Sequence, residues 1–154
     1  MAEVWDERQL AAEGFERVYV ELDWYDGPRA GLVDLGGVPH YFQCHDIDFS
    51  VAPTEYFVWP AEEELVALER EQWAIFVEWN QQHEAGAADI ARHPGHGGVD
   101  ARYDELTAVL TPHRQAPADA QLLVAEWRYA GGNRYRADGV GYWVRWRERR
   151  NDPA

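Results

Sequence analysis

The side chains of this chain that are best suited to chemistry include histidines close to one another in the sequence. His93 and His96 lie three positions apart, in a segment where Pro94 and the glycines that follow prevent a helix. Imidazole nitrogens are common zinc ligands, and the nearby His83 would add a third. Because the spacing matches no zinc signature, two interpretations stay open: a metal site formed by His83, His93 and His96, or ordinary loop histidines.

A second candidate group follows from a predicted helix that ends near residue 84. Pro60 and the three glutamates after it suit the first turn of this helix, and Gly86 suits its end. At about 100° per residue the apolar side chains cover a wide arc, and a polar seam lies inside that arc, formed by Glu69, Gln72, Asn80 and His83. Buried polar groups need partners. The seam therefore predicts either a helix–sheet cleft, with Glu69 and His83 as acid–base or ligand residues, or a helix that overhangs the sheet.

Other reactive side chains form no recognisable catalytic set. All 14 basic residues are arginines, which excludes a lysine Schiff base or a phosphate-loop lysine. Cys44 and His45 are neighbours in a predicted strand, so their side chains point to opposite faces. Ser50 is the one serine in the sequence, and it lacks the setting of a nucleophile elbow. We expect no cofactor.

An α+β fold is predicted to position these residues, with an antiparallel sheet of about five or six strands packed against one long helix and one shorter helix. The alternation of Val18, Val20, Leu22 and Trp24 with polar residues predicts a strand over 17–24. Gly36 and Gly37 predict a tight hairpin between the next two strands. The remaining strands are predicted over 30–35, 38–44, 56–59, 122–129 and 139–147, and the shorter helix over 102–110.

Length and composition predict one domain. The chain has 154 residues, of which 46% are hydrophobic, and it has a single cysteine. We expect residues 1–15 to be a loosely ordered segment and residues 148–154 to be a tail. The lone thiol, the absence of a leader-like N-terminus and the short apolar stretches predict a cytoplasmic protein without a membrane span.

The charge is strongly acidic and unevenly distributed. The net charge is −14, and residues 1–80 hold 18 acidic residues and only four arginines. Residues 121–154 hold seven arginines and four acidic residues, so we predict that Arg145 and Arg147 pair across the sheet with Glu21 and Asp23. The acidic surface suits a basic protein partner and argues against nucleic acid as a partner.

Four short segments occur in order along residues 20–147: YDGPR at 25–29, PHYF at 39–42, WxIFxxW at 73–79 and HP at 93–94. In these segments the chain resembles a set of small bacterial proteins of uncharacterised function. The resemblance implies no activity, but it implies a shared site that includes Asp26, Arg29, His40 and His93. Where those proteins place an aromatic residue near the helix end, this chain has His83.

Two functional hypotheses follow. The first is a small acidic binding or regulatory module that acts through protein–protein contact, with a candidate binding set of Asp26, Arg29, His40, Glu69, Gln72 and His83. The alternative is a small metal-dependent or hydrolase-like enzyme with a helix–sheet cleft around Glu69, His83 and His93.

Overall fold

The structure is a computed structural model that describes residues 4–25, 27–45, 54–131 and 134–148. The class is α+β, as the sequence predicts. In chain order the strands and α-helices are β1 (Val4–Trp5), α1 (Glu7–Ala12), β2 (Glu16–Trp24), β3 (Pro28–Leu35), β4 (Val38–Cys44), β5 (Glu55–Pro60), α2 (Glu63–Glu84), α3 (Ala101–Leu110), β6 (Gln121–Ala130), β7 (Tyr135–Arg136), β8 (Gly139–Val140) and β9 (Tyr142–Glu148). Short 3₁₀ turns lie at Ile90–Arg92, Pro94–His96 and Thr111–Arg114.

Six of these strands form a closed antiparallel barrel in the order β2, β3, β4, β5, β6, β9. β9 closes the barrel because it pairs with β6 along its whole length and with β2 at its start. The predicted antiparallel sheet is confirmed, and its closure leaves these six strands paired on both sides. β1 adds a short parallel strand beside β6. The strand predicted over 139–147 is divided between β8, which pairs with β7, and β9.

Aromatic side chains fill the barrel interior. The rings of Phe42 and Tyr56 meet at 5.7 Å between centroids, and both contact Trp127 and Trp146. Tyr142 joins the cluster at 5.7 Å from Trp127. Along β9 and β6 the inward residues alternate with outward ones, as the pleat of a small barrel requires. These large rings explain why a short chain can build a dense core.

Helix α2 packs along the outside of the barrel. Val66, Trp73 and Val77 recur at helical spacing and belong to the same buried cluster as the strand residues. The observed helix ends at the predicted residue and has acidic side chains in its first turn, where the helix dipole favours negative charge. It begins later than predicted, because Pro60 is the last residue of β5 and not part of the first helical turn.

Helix α3 packs mainly against α2, so the expectation that the sheet packs against both helices is not confirmed for the shorter helix. Leu106 and Leu110 are its buried residues. The Arg102 guanidinium of α3 binds the Glu71 carboxylate of α2 through two hydrogen bonds. These contacts between the helices fix α3 beside α2.

The N-terminal segment is more regular than the sequence indicates, since residues 4–12 contain β1 and α1. The Asp6 side chain caps α1 by accepting a hydrogen bond from the Arg8 backbone N–H at 2.7 Å. Leu10 is fully buried in a small cluster with Phe15 and Trp143. Residues 4–12 thus form regular secondary structure within the segment that was expected to be loosely ordered. Most of the predicted tail, 149–154, lies outside the described residues.

The structure contradicts the predicted pairing of Arg145 with Glu21. The Arg145 guanidinium binds Glu126 at 2.8 Å, and Glu21 binds Arg134 at 2.8 Å instead. The reason is the barrel geometry: β2 meets β9 at Glu16–Val144 and Arg17–Trp143, so the later residues of β9 face β6. The acidic N-terminal and basic C-terminal parts do pair internally, but through other residues.

Among the described residues, no helix combines the length and the apolar character needed to cross a membrane.

Candidate functional site

A cleft of about 310 Å³ lies between β2 and α2. Residues 20–24 of β2 form one wall, and Glu69, Gln72, Trp73 and Phe76 of α2 form another. The other described residues that line the cleft are His93, Tyr103, Arg114 and Tyr135. The volume lies at the small end of the range of about 300–1,000 Å³ that is usual for ligand sites.

A bulge in β2 decides which of its side chains face the cleft and which face the barrel. Val18 pairs with Val33, but Val20 pairs with Leu32, so one extra residue of β2 lies between these two pairs. Such a bulge reverses the alternation of side chains along the strand. Glu21 therefore lies opposite Gly31 in the strand register, on the face of the sheet that points into the barrel. A strict two-residue period cannot predict this change.

Glu69 forms the floor of the cleft and is only 1% exposed. Its carboxylate accepts hydrogen bonds from Arg114 Nη2 at 2.6 Å and from Arg114 Nε at 2.9 Å, the forked geometry typical of arginine–carboxylate pairs. The Tyr41 hydroxyl donates a third hydrogen bond at 2.9 Å. Burial and the adjacent Glu69 carboxylate raise the pKa of Tyr41 above its usual range. The phenol therefore remains a donor to Glu69.

Gln72 extends the same network to α3. Its side-chain N–H groups donate to Thr107 Oγ1 at 2.7 Å and to the Tyr103 carbonyl at 3.0 Å, and its carbonyl oxygen accepts from Arg114. The alternatives left open for the polar seam are thus resolved for Glu69 and Gln72, which are buried in a cleft floor and do not overhang the sheet. Sequence periodicity found these two residues but missed Arg114, which lies in a 3₁₀ turn without an apolar pattern.

Aromatic rings form the walls of the cleft. Tyr135 contacts Phe76 at 5.0 Å and Trp73 at 5.8 Å between ring centroids, in both cases edge to face. The Trp73 indole N–H donates to the Arg136 carbonyl at 2.8 Å, which anchors the β7 segment to α2. Burial raises the pKa of Tyr135 to about 12, so this wall is uncharged at neutral pH. The β7 segment gave no signal in the sequence, because it is only two residues long.

At one edge of the cleft, Glu21 and Arg134 form an ion pair beside two aromatic rings. Glu21 Oε1 accepts from Arg134 at 2.8 Å and from the Tyr142 hydroxyl at 2.9 Å. The Arg134 guanidinium lies 4.1 Å from the centroid of the Trp24 ring and 5.0 Å from that of Tyr135. These distances are within the range of cation–π contacts.

The three histidines of the hypothetical metal site have other contacts. His83 stacks on Trp79 at 4.8 Å, and its Nδ1 lies 2.9 Å from the Ala88 carbonyl oxygen. His96 is exposed, with Nε2 at 3.2 Å from the Ile90 carbonyl oxygen. Within the described part of the chain, no group of three or more His, Cys, Asp or Glu side chains is placed to hold a metal ion. The structure therefore gives no support to a metal site at His83, His93 and His96.

His93 is the one of these histidines that lines the cleft. Its Nδ1 accepts a hydrogen bond from the Gly95 backbone N–H at 2.9 Å, and its ring contacts Phe76 and Trp79. Burial, with further contributions from His96 and His83, lowers the pKa of His93 below its usual value. The neutral ring is thus the form that suits this position.

The remaining candidates lie outside the described lining of the cleft. Arg29 is 4% exposed, and its Nε donates to the Tyr25 carbonyl at 2.8 Å. His40 lies on β4, with Nδ1 at 2.7 Å from the Val38 carbonyl oxygen. Asp26 lies outside the described residues. The candidate set therefore does not form one site: Glu69, Gln72 and His93 line the cleft, while Arg29, His40 and His83 lie elsewhere.

Comparison of the chain with protein-family models, with curated proteins and with solved structures finds no match.

Proposed function

We propose that the protein is a small cytoplasmic binding module that recognises its ligand in the cleft between β2 and α2 and acts by contact with a basic partner. The observation that carries this proposal is the fixed floor of the cleft. Glu69, Arg114 and Gln72 bind one another there, so their positions are set before a ligand arrives. A preorganised site loses less conformational entropy on binding.

The same contacts favour binding over hydrolysis. A general base must reach the proton that it abstracts, and a carboxylate held in several hydrogen bonds to a cation is a weak base. Both carboxylate oxygens of Glu69 accept from Arg114, and one also accepts from Tyr41. His83, the partner expected for Glu69, stacks on Trp79 instead. Glu69 is thus better suited to holding the cleft in shape than to proton transfer.

The charge of the chain supports a basic partner. The net charge is −14, and several arginines are occupied by internal ion pairs, among them Arg102, Arg114, Arg134 and Arg145. A net negative surface attracts a basic partner over distances of about 10 Å at moderate salt and raises the association rate. The single cysteine in the sequence supports a cytoplasmic setting.

An NMR titration of the ¹⁵N-labelled chain with a panel of small cationic, neutral and anionic compounds tests this proposal. We expect compounds that bind to shift backbone amides at 20–24 and 69–76. Asp23→Trp, which places a bulky ring on the cleft lining, should abolish these shifts. Asp119→Trp is the matched control, because Asp119 is also exposed and the change in charge and size is the same. Binding that maps elsewhere, or that survives Asp23→Trp, would contradict the proposal.

A further inference from the structure

The charged side chains that line the cleft leave an excess of negative charge. Among the described lining residues, Glu21, Asp23 and Glu69 are carboxylates, and Arg114 is the one arginine. Arg134 at the cleft edge pairs with Glu21, so the three carboxylates face two guanidinium groups. The Arg114 guanidinium is bound to Glu69 and Gln72, so it neutralises the floor. Asp23 is exposed and forms no ion pair with any described residue. A ligand that enters therefore meets a carboxylate that lacks a counter-ion.

Aromatic rings surround this charge. Five described lining residues carry them: Trp24, Trp73, Phe76, Tyr103 and Tyr135. The face of an aromatic ring has a negative electrostatic potential, and a cation placed over it gains about two- to thirtyfold in affinity. Rings combined with carboxylates are the chemistry that recognises ammonium groups in proteins. An anionic ligand would gain nothing from either group.

The chain already holds one organic cation in this way. The Arg134 guanidinium lies over Trp24 and Tyr135, which both line the cleft, and binds the Glu21 carboxylate at 2.8 Å. The Arg134 side chain is 43% exposed, so water competes with the rings for the guanidinium. The guanidinium nevertheless keeps its contacts with both rings. This internal contact is an example of the recognition that we infer for a ligand.

We infer that the cleft binds the cationic head group of an organic ligand, an ammonium or a guanidinium, with Asp23 as its counter-ion and Phe76 and Tyr135 as its aromatic walls. This inference rests on the proposed function and adds the class of ligand. A volume of about 310 Å³ suits a head group with a short stem. Two sources carry this chemistry: a free quaternary amine, and an arginine or lysine side chain of a basic partner.

The test compares two ligands of the same shape that differ in charge. Choline carries a trimethylammonium group, and 3,3-dimethyl-1-butanol replaces its nitrogen with carbon and is neutral. In NMR titrations of the wild-type chain we expect both to shift amides at 20–24 and 69–76, with choline binding about tenfold more tightly. The Kd ratio of the two ligands isolates the contribution of the positive charge.

Three variants locate that contribution. Asp23→Asn should weaken choline binding about three- to tenfold and leave the neutral ligand unchanged. Asp119→Asn changes the net charge equally at an exposed residue away from the cleft lining, and should leave both ligands unchanged. Phe76→Leu keeps an apolar side chain but removes the ring, so it should lower the preference for choline over the neutral ligand.

A peptide pair distinguishes the sources. Acetyl-Gly-Arg-Gly-amide is compared with the same peptide in which neutral citrulline replaces arginine. If the arginine peptide binds more tightly than choline and the citrulline peptide binds weakly, the site is assigned to a basic partner. If choline binds more tightly than the arginine peptide, the site is assigned to a free amine. Equal Kd values for choline and dimethylbutanol at the cleft would refute the inference and leave the proposed function standing. Shifts confined to residues outside the cleft for every ligand would refute both.

Discussion

Arg114→Leu provides the sharpest test of the cleft floor, because it removes the ion-pair partner of a carboxylate that is almost completely buried. The Glu69 side chain is 0% exposed and accepts two hydrogen bonds from Arg114, so this substitution would leave it with Tyr41. Breaking a buried ion pair from one side costs about 3–5 kcal/mol. For a chain of this size, that corresponds to a fall in Tm of about 6–20 °C. Urea denaturation, followed by tryptophan fluorescence, measures the free energy of unfolding directly.

The double variant Glu69→Leu/Arg114→Leu is the control. It removes both charges, so it should be more stable than the sum of the two single losses predicts, with a coupling of about 1–3 kcal/mol. Glu69→Leu alone should cost less than Arg114→Leu, since the Arg114 side chain is 20% exposed and would still reach water. A loss below about 1 kcal/mol in Arg114→Leu, or two strictly additive single losses, would refute the buried pair.

Two further predictions concern the barrel and the loop beside the cleft. Gly31→Ala should cost at least about 2 kcal/mol in chemical denaturation, because the added Cβ would collide with the Val20 carbonyl oxygen and the Phe42 ring. A loss below about 0.5 kcal/mol, the usual range of a surface substitution, would show that the two strands are further apart. His93 should make unfolding pH-dependent: its folded pKa is lowered, so its contribution to stability is present above its ordinary pKa of about 6.5 and is lost as pH falls below that value. His93→Asn, which keeps an acceptor for the Gly95 N–H but does not titrate, should lose less stability than the wild type between pH 7 and pH 5, and parallel curves would contradict this role.

Local patterns in the sequence predict much of this fold. The extent of β2, the glycine pair between β3 and β4 and the length of α2 are set by neighbouring residues, and they appear at almost the predicted positions. The predicted polar seam likewise found Glu69 and Gln72, because a polar residue on an apolar helix face is visible without the structure.

The rest depends on contacts between residues far apart in the chain. Barrel closure requires β9 to pair with both β2 and β6, and no local pattern encodes that choice. Arg114 and Tyr135 reach the cleft from a 3₁₀ turn and a two-residue strand, which are too short to show a hydrophobic periodicity in the sequence. The bulge in β2 changes which side chains face the barrel. The sequence therefore predicted the residues of the cleft floor that belong to α2 but not their partners.

The most direct test of the central claim, that the cleft binds an organic cation, is a set of intermolecular NOEs between choline and the labelled chain. The methyl protons of the trimethylammonium group should show NOEs to the ring protons of Phe76 and Tyr135, and the NOEs should weaken in Asp23→Asn but persist in Asp119→Asn. NOEs to residues outside the cleft, or their absence at saturating choline, would contradict the claim.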